Sequence, residues 1–275
     1  MKYILIVGAN SYIGRSLKDY LSQYTSDYIV DTIPAKGLDL KPDLFTGYDT
    51  VFCAAGIAHI KETEENRDIY FKVNRDFVVD VAKNAKEAGV RQFILLSSMS
   101  VYGLKIGYID KYTEPNPHNA YGDSKLQADM AIKKIEDDSF KFCCLRPPMV
   151  YGKGCKGNYQ SIRKIAMKSP VFPNYNNQRS MVYIGNLCEF VKQCIDEENR
   201  GLFFPQNSAY VNTCRMVERI AKENGRNIKL LNVFNPALSF APISIVEKAF
   251  GTLIYEPVDM VGKYGFEESI WMAES

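Results

Sequence analysis

The stretch from Lys2 to Tyr24 constrains the fold more than any other part of the 275-residue chain. Lys2-Tyr-Ile-Leu-Ile-Val7 is a short apolar run of strand type. It ends in Gly8-Ala-Asn-Ser-Tyr-Ile-Gly14, and from Arg15 to Tyr24 apolar residues recur at helical spacing, at Leu17, Tyr20 and Leu21. The order is strand, tight glycine turn, helix. Such a turn lets the backbone approach a pyrophosphate closely and aims the free amides and positive dipole end of the helix at the phosphates. Ser11 stands where a G-x-x-G-x-x-G pattern has its middle glycine; it is small and able to hydrogen-bond, so the turn tolerates it.

The alternation continues. Tyr28 to Ile33, Asp49 to Ala54, Gln92 to Ser97 and Lys141 to Arg146 read as strands, the last stopped by Pro147-Pro148 because proline cannot continue a central ladder. Asn74 to Glu87, with Phe77, Val78, Val81 and Ala82 at helical spacing, and Tyr121 to about Ile135 read as helices. Strands separated by helices imply a parallel, doubly wound α/β sheet of Rossmann type. Beyond Tyr151 the regularity loosens, through Gly152-Lys-Gly-Cys-Lys-Gly157 and the turn-rich Ser169 to Asn177. The expected organisation is a dinucleotide-binding domain over residues 1–150, joined in its sheet by strands from later segments, and a smaller substrate-binding lobe over 151–275.

Charge and composition exclude several classes. The net charge is +2 and no long basic run occurs, which gives nucleic acid no electrostatic footing. No apolar run spans a bilayer and no signal peptide is expected, so a membrane role is not. The seven cysteines are odd in number and lack C-x-x-C spacing, which reads as reduced, packed thiols of a cytoplasmic protein. His59 and His118 are too few and too isolated for a metal site.

The chemistry sits in Tyr121-Gly-Asp-Ser-Lys125, downstream of Ser97-Ser98-Met99-Ser100. Residues four apart share a helix face, so a phenol and an ammonium can point into one pocket, and a nearby hydroxyl can bind the same substrate oxygen. A cation beside a phenol favours the phenolate and so favours proton exchange near neutral pH. Taken alone, the spacing fits an exposed helix with an ordinary pair better than a catalytic one. With the glycine turn upstream, it reads as carbonyl–alcohol redox chemistry.

Gly8 with Gly14, Ser98-Met-Ser-Val-Tyr-Gly103, Tyr121-x-x-x-Lys125, Arg146-Pro-Pro-Met-Val-Tyr-Gly152 and Arg179-Ser-Met-Val-Tyr-Ile-Gly-Asn-Leu187 together resemble an extended short-chain dehydrogenase/reductase, of the NAD-dependent epimerase/dehydratase family that acts on nucleotide-activated sugars. The resemblance covers nearly the whole chain. It implies Ser98 and Tyr121 as catalytic hydroxyl and acid/base, and Lys125 as the residue that holds the nicotinamide ribose and depresses the tyrosine pKa. Cofactor contacts implied in the same way are Gly8, Asn10, Ser11, Tyr12, Ile13, Gly14, Asp39, Leu40, Ala54, Ala55, Gly56, Asn74 and Pro148. Ser98, Ser100, Asn158 and Arg179 are the implied substrate contacts, Arg179 as a guanidinium fork on a diphosphate. Ser100 reads equally as a turn serine, and His59 as a cofactor neighbour or a structural histidine; the run from Lys61 to Arg67 reads as a solvated helix start. A homodimer through the Asn74–Glu87 and Tyr121–Ile135 helices is also implied.

Asp31, near the end of the second strand, is the candidate for the adenosine ribose and favours NAD; if the strand runs on, Pro34 takes that place. The nearby loop lacks an arginine cluster, while Lys36 and Arg15 keep NADP open. In sugar 4,6-dehydratases of the superfamily an Asp-Glu pair follows the active-site serine or threonine; Met99-Ser100 stand here, which disfavours dehydration. The expected reaction is epimerisation at C4 of a nucleotide-diphosphate hexose, UDP-linked, with reduction of a nucleotide-linked 4-keto-6-deoxy sugar as the alternative. A non-catalytic dinucleotide-binding regulator is more remote, since such members usually lose the tyrosine–lysine pair.

Overall fold

A computed structural model describes residues 1–58, 60, 62–232, 247, 250–257 and 262–275. In chain order the elements are β1 (Lys2–Val7), α1 (Tyr12–Leu21), β2 (Tyr28–Ile33), β3 (Thr50–Cys53), α2 (Arg67–Phe71), α3 (Val78–Glu87), β4 (Gln92–Leu96), β5 (Gly107–Ile109), α4 (Ala120–Lys133), β6 (Lys141–Leu145) and β7 (Met149–Tyr151). There follow α5 (Asn158–Lys168), β8 (Val171–Pro173), β9 (Met181–Tyr183), α6 (Ile184–Asp196), β10 (Gly201–Phe203), α7 (Thr213–Glu223), β11 (Lys229–Leu231), β12 (Leu253–Tyr255) and α8 (Phe266–Glu274). Two compact units result. The first comprises Met1–Gly103, Pro115–Pro147 and Cys188–Pro205; the second comprises Leu104–Glu114, Pro148–Leu187 and Gln206–Ser275. Two segments thus cross the 150/151 boundary expected from sequence: Leu104–Glu114 joins the second unit, and Cys188–Pro205 returns to the first.

The first unit is a parallel six-stranded sheet in the order β10-β6-β4-β3-β1-β2. Side chains alternate across a strand, and here both sets are apolar. Leu5, Val7, Val51, Cys53, Phe93, Leu95, Phe142 and Cys144 form one core with Val78, Val81, Ala82 and Ala85 of α3 and Ala128 and Ile132 of α4. Ile4, Ile6, Phe52, Ile94, Cys143 and Leu145, the intervening residues, are buried as well. Burying one side chain of this size contributes roughly 1.5–3 kcal/mol, so a sheet apolar on both faces is held only if both are covered. On the second face Gln92 donates from its amide to the carbonyls of Cys194 and Asn199, at 2.8 and 3.0 Å, tying the last part of α6 to β4.

The order of strands reverses at β1, which lies between β2 and β3. Ligands of open parallel sheets bind beyond the strand ends at such a point. The elements read from the sequence fall close to place, with two shifts. α1 starts at Tyr12, before the apolar periodicity begins, because Ser11 caps it. The helix expected from Asn74 begins at Arg67 and is interrupted by a π-helical stretch, Lys72–Phe77, before α3.

The second unit holds three parallel two-stranded pairs, β5–β12, β7–β9 and β8–β11. Within it, Asn207 accepts from the Tyr183 amide and from Asn186, at 2.9 Å each, and donates to the Tyr151 hydroxyl at 2.9 Å. Among the described residues no helix is long and apolar enough to cross a membrane, and no three His, Cys, Asp or Glu side chains could share a metal ion. All seven cysteines are free and buried.

Candidate active site

The turn after β1 is built by contact. Gly8 has φ 110°, and a Cβ there would lie 3.0 Å from the backbone of Ala54 and Ala55, so the β1 and β3 ends close on each other only with glycine. Ser11 is the N-cap of α1: its Oγ accepts from the Gly14 amide at 2.9 Å. The serine in place of a glycine therefore supplies the cap. Tyr12, Ile13 and Gly14 form the first turn of α1, and Asn10 lies exposed before it. The glycine-cradled backbone at a helix start fits a dinucleotide pyrophosphate.

Beside this turn, Ala54 to Gly56 leave β3 and pass over Lys125. A Cβ on Gly56 would meet both the Lys125 ammonium and Asn74 Oδ1 at 3.0 Å. Lys125 is 4% exposed and donates to the carbonyl of Leu96 at 2.8 Å, with that of Ala55 at 3.5 Å. Asn74, wholly buried in the π-helical stretch, accepts from the Ile57 amide at 2.8 Å and donates to the Ile57 carbonyl at 3.1 Å and to Ser124 Oγ at 3.2 Å. Its amide thus organises the loop after β3.

Tyr121 enters from the first turn of α4 near Ser98, which lowers its phenol pKa, while Tyr70 packs edge-on against its ring at 6.4 Å. Gly122 brings the two together: a Cβ there would stand 2.5 Å from the Ser100 carbonyl oxygen, so the helix abuts the turn that carries Ser98. Asn119 caps α4 by accepting from Gly122 at 2.8 Å, and the Glu62 carboxylate accepts from the Ala120 amide at 2.8 Å. Ser98 Oγ also accepts from the Ser100 amide, at 3.1 Å.

Burial sets the titration of the pair. It raises the Tyr121 phenol, against which Ser98 lowers it and Tyr70 raises it again. It lowers Lys125, with Cys53, Asp129 and Cys144 pulling the other way. The implied depression of Tyr121 by Lys125 is not among these influences. The ammonium is engaged by the Leu96 carbonyl instead.

The remaining sequence-derived residues are distributed. Asp31 sits in β2, two residues short of its end at Ile33, and accepts from the Tyr48 hydroxyl at 2.9 Å. Asp39 is exposed and pairs with Lys41 at 2.6 Å, and Leu40 packs at the margin of the core. Pro148 is buried just before β7. In the second unit Asn158 is exposed at the start of α5. Arg179 is half-buried, donates to the Gly251 carbonyl at 2.8 Å, and is lowered by burial; it has no carboxylate partner among the described residues. His59 and Lys61 lie outside the described residues.

Residues 4–203 match the NAD dependent epimerase/dehydratase family. The chain belongs to this family. It is an NAD(P)-dependent enzyme of the extended short-chain dehydrogenase/reductase type. It is 30% identical to a UDP-glucose 4-epimerase of Vibrio cholerae over 249 residues, which span 80% of this chain and 75% of that one. It is 26% identical to the N-acetyl-alpha-D-glucosaminyl-diphospho-ditrans,octacis-undecaprenol 4-epimerase of Escherichia coli O157:H7, over 69% of this chain and 62% of that one. The solved UDP-glucuronic acid 4-epimerase of Bacillus cereus, in complex with NAD, superposes with TM-score 0.78 at 16% identity over 99% of this chain and 97% of that one, which shows the same fold.

Two parts of this family member's site escaped the sequence reading. Glu62, in a run read as a solvated helix start, holds the first turn of α4, and no local pattern marks a capping carboxylate so far from its helix. Asp129 and Arg146 form a buried ion pair at 3.1 Å; the signal for it was a carboxylate one helical turn beyond Lys125. Replacing Gly122 by Ala is expected to retain the far-ultraviolet circular dichroism of the fold while turnover falls at least tenfold, because the Ser98 turn must move away from Tyr121. Unchanged turnover contradicts the placement.

Proposed function

We propose that the protein is a nucleotide-sugar 4-epimerase: it removes and returns a hydride at C4 of a nucleotide-diphosphate hexose, UDP-linked, with Tyr121 as acid/base. The observation that carries this reading is Tyr121 on a helix face shared with a buried Lys125, with the turn that carries Ser98 abutting the same helix at Gly122, in a member of the epimerase/dehydratase family. The relatedness to a UDP-glucose 4-epimerase supports the substrate class.

In this reading the first unit binds NAD and the second the nucleotide sugar. The turn from Gly8 to Gly14, Ala54 to Gly56 and Lys125 hold the dinucleotide, and a bound nicotinamide supplies a hydride acceptor. Tyr121 takes the proton of the C4 hydroxyl as C4 becomes a ketone and gives it back as the opposite face is reduced. Ser98 hydrogen-bonds the same oxygen and keeps it at Tyr121. Lys125, sealed from water beside the Ala54–Gly56 loop, is the residue that holds the nicotinamide ribose in this reading. Arg179 binds the diphosphate, a role suited to a half-buried guanidinium with no carboxylate partner among the described residues. Met99-Ser100 offer no acid and base for loss of water, which favours chemistry confined to C4.

Asp31 is held in mid-strand by Tyr48, so the acidic side chain stands short of the strand end where an adenosine ribose is read. NAD is the cofactor proposed, and the nucleotide released on denaturing the purified protein distinguishes it from NADP; retained NADP would instead support reduction of a 4-keto sugar. The setting is a cytoplasmic supply of sugars for surface polysaccharide.

Tyr121→Phe is expected to lower turnover of UDP-glucose or UDP-N-acetylglucosamine by about 10²–10⁴-fold while NAD binding by calorimetry is retained. Because the phenol's pKa is raised by burial, oxidation by the unmodified protein should speed up as pH rises toward it, and this rise should vanish in the variant. A variant as active as the parent would sink the assignment of Tyr121. For assembly, we place a homodimer contact on the Asn74–Glu87 and Tyr121–Ile135 helices, on the second of which Met130 is exposed. A dimeric sedimentation mass is expected, and a monomeric one contradicts it.

A further inference from the structure

The buried face of α4 is chemically odd. Positions 121, 125 and 129 lie one turn apart on a helix, and in a core helix they would be apolar. Here they are Tyr121, Lys125 and Asp129, and the last two each grip one residue where β4 ends. Lys125 donates to the Leu96 carbonyl at 2.8 Å and Asp129 Oδ2 accepts from Ser97 Oγ, just past the strand, at 3.0 Å. Asp129 is 5% exposed. The same Oδ2 accepts from Arg146 Nε at 3.1 Å, and Arg146 in turn donates to the Tyr102 hydroxyl at 2.8 Å and lies over its ring at 5.2 Å. Tyr102 closes the turn that begins at Ser98.

We propose that Asp129 is a positioning residue for the Tyr121–Lys125 pair: its buried carboxylate holds Lys125 cationic from one helical turn away and clamps the Ser97–Ser98 segment just past β4 to the catalytic helix. The inference rests on the reading of Tyr121 and Lys125 as the reacting pair. Among the described residues Lys125 makes no direct ion pair, so the charges around it act through space, where low local dielectric strengthens the effect. Facing it from other elements are the thiols of Cys53 on β3 and Cys144 on β6, and from its own helix Asp129. Asp129 faces Arg146, Ser97 and Cys144. It is the one carboxylate in either set, shared between two cations. Removing it should make Lys125 lose its proton more readily; removing Arg146, the competing cation, should act in the opposite sense.

The test is a direct titration of Lys125. Protein carrying ¹³C-labelled lysine is titrated by NMR, with the Lys125→Arg variant identifying the resonance. The midpoint is expected to fall in Asp129→Asn, to rise in Arg146→Gln, and to stay at the parent value in Asp129→Glu, which keeps the charge. Opposite signs separate electrostatic coupling from general loosening. An unmoved midpoint in Asp129→Asn, or shifts of one sign in all three variants, overturns the proposal. If Asp129→Asn does not fold, Arg146→Gln and Asp129→Glu decide it: a fall in the first or a displaced midpoint in the second overturns it. The readout uses no substrate. Failure of the epimerase reading would appear separately, as absent turnover of UDP-sugars by the parent protein.

Discussion

The structure depends on keeping a lysine charge out of water beside a tyrosine. Lys125 sits in the core of the first unit with the Leu96 carbonyl as its nearest partner, at 2.8 Å, and the loop of Ala54 to Gly56 passes over it. An isolated buried ammonium is costly, and such a group survives only where dipoles and a counter-charge surround it. The end of β4 provides the dipole and Asp129 the counter-charge, itself balanced by Arg146. The same contacts draw α4 against β4, and Gly122 removes the side chain that would hold them apart. Once α4 is seated, Tyr121 reaches Ser98.

The cofactor side follows from the sheet. Reversal of strand order at β1 brings the ends of β1 and β3 together, and the absence of a Cβ at Gly8 lets their backbones touch. Ser11 completes the turn by capping α1, so a departure from the glycine pattern becomes part of the helix start. Asn74, turned inward by the π-helical stretch, fixes the loop after β3 to Ser124 on α4. The end of β3 and the tyrosine helix are therefore joined through one short loop.

Much of this was legible in the sequence, for definite reasons. β1, β2 and β4 announce themselves because strands buried on both faces are continuous apolar runs, and Tyr121-x-x-x-Lys125 because its spacing is local. The early part of the helical segment before β4 was not legible. Its residues from Arg67 to Phe77 lack the regular apolar spacing of Val78 to Glu87, and a π-helical turn breaks the period on which such a reading rests. α4 misleads in another way: Ser124, Lys125 and Asp129 look like a solvated face, yet they are buried, since their partners are Asn74, the Leu96 carbonyl, and Ser97 with Arg146, all outside the helix. Arg146 and Tyr102, which stand in motifs of the family, turn out to be bound to each other. The division into units was only partly legible, because Leu104–Glu114 leaves the first stretch of chain to join the second unit.

The central claim is that the proton held at Tyr121 moves in step with a hydride that leaves and re-enters C4 of one sugar nucleotide. The most direct measurement follows deuterium from UDP-[4-²H]glucose and UDP-[4-²H]-N-acetylglucosamine through conversion by the purified protein. The expected result is a C4-inverted product that keeps the deuterium at C4 without uptake of solvent hydrogen there. A product with solvent hydrogen at C4, or no inversion of either sugar with bound NAD present, would contradict it.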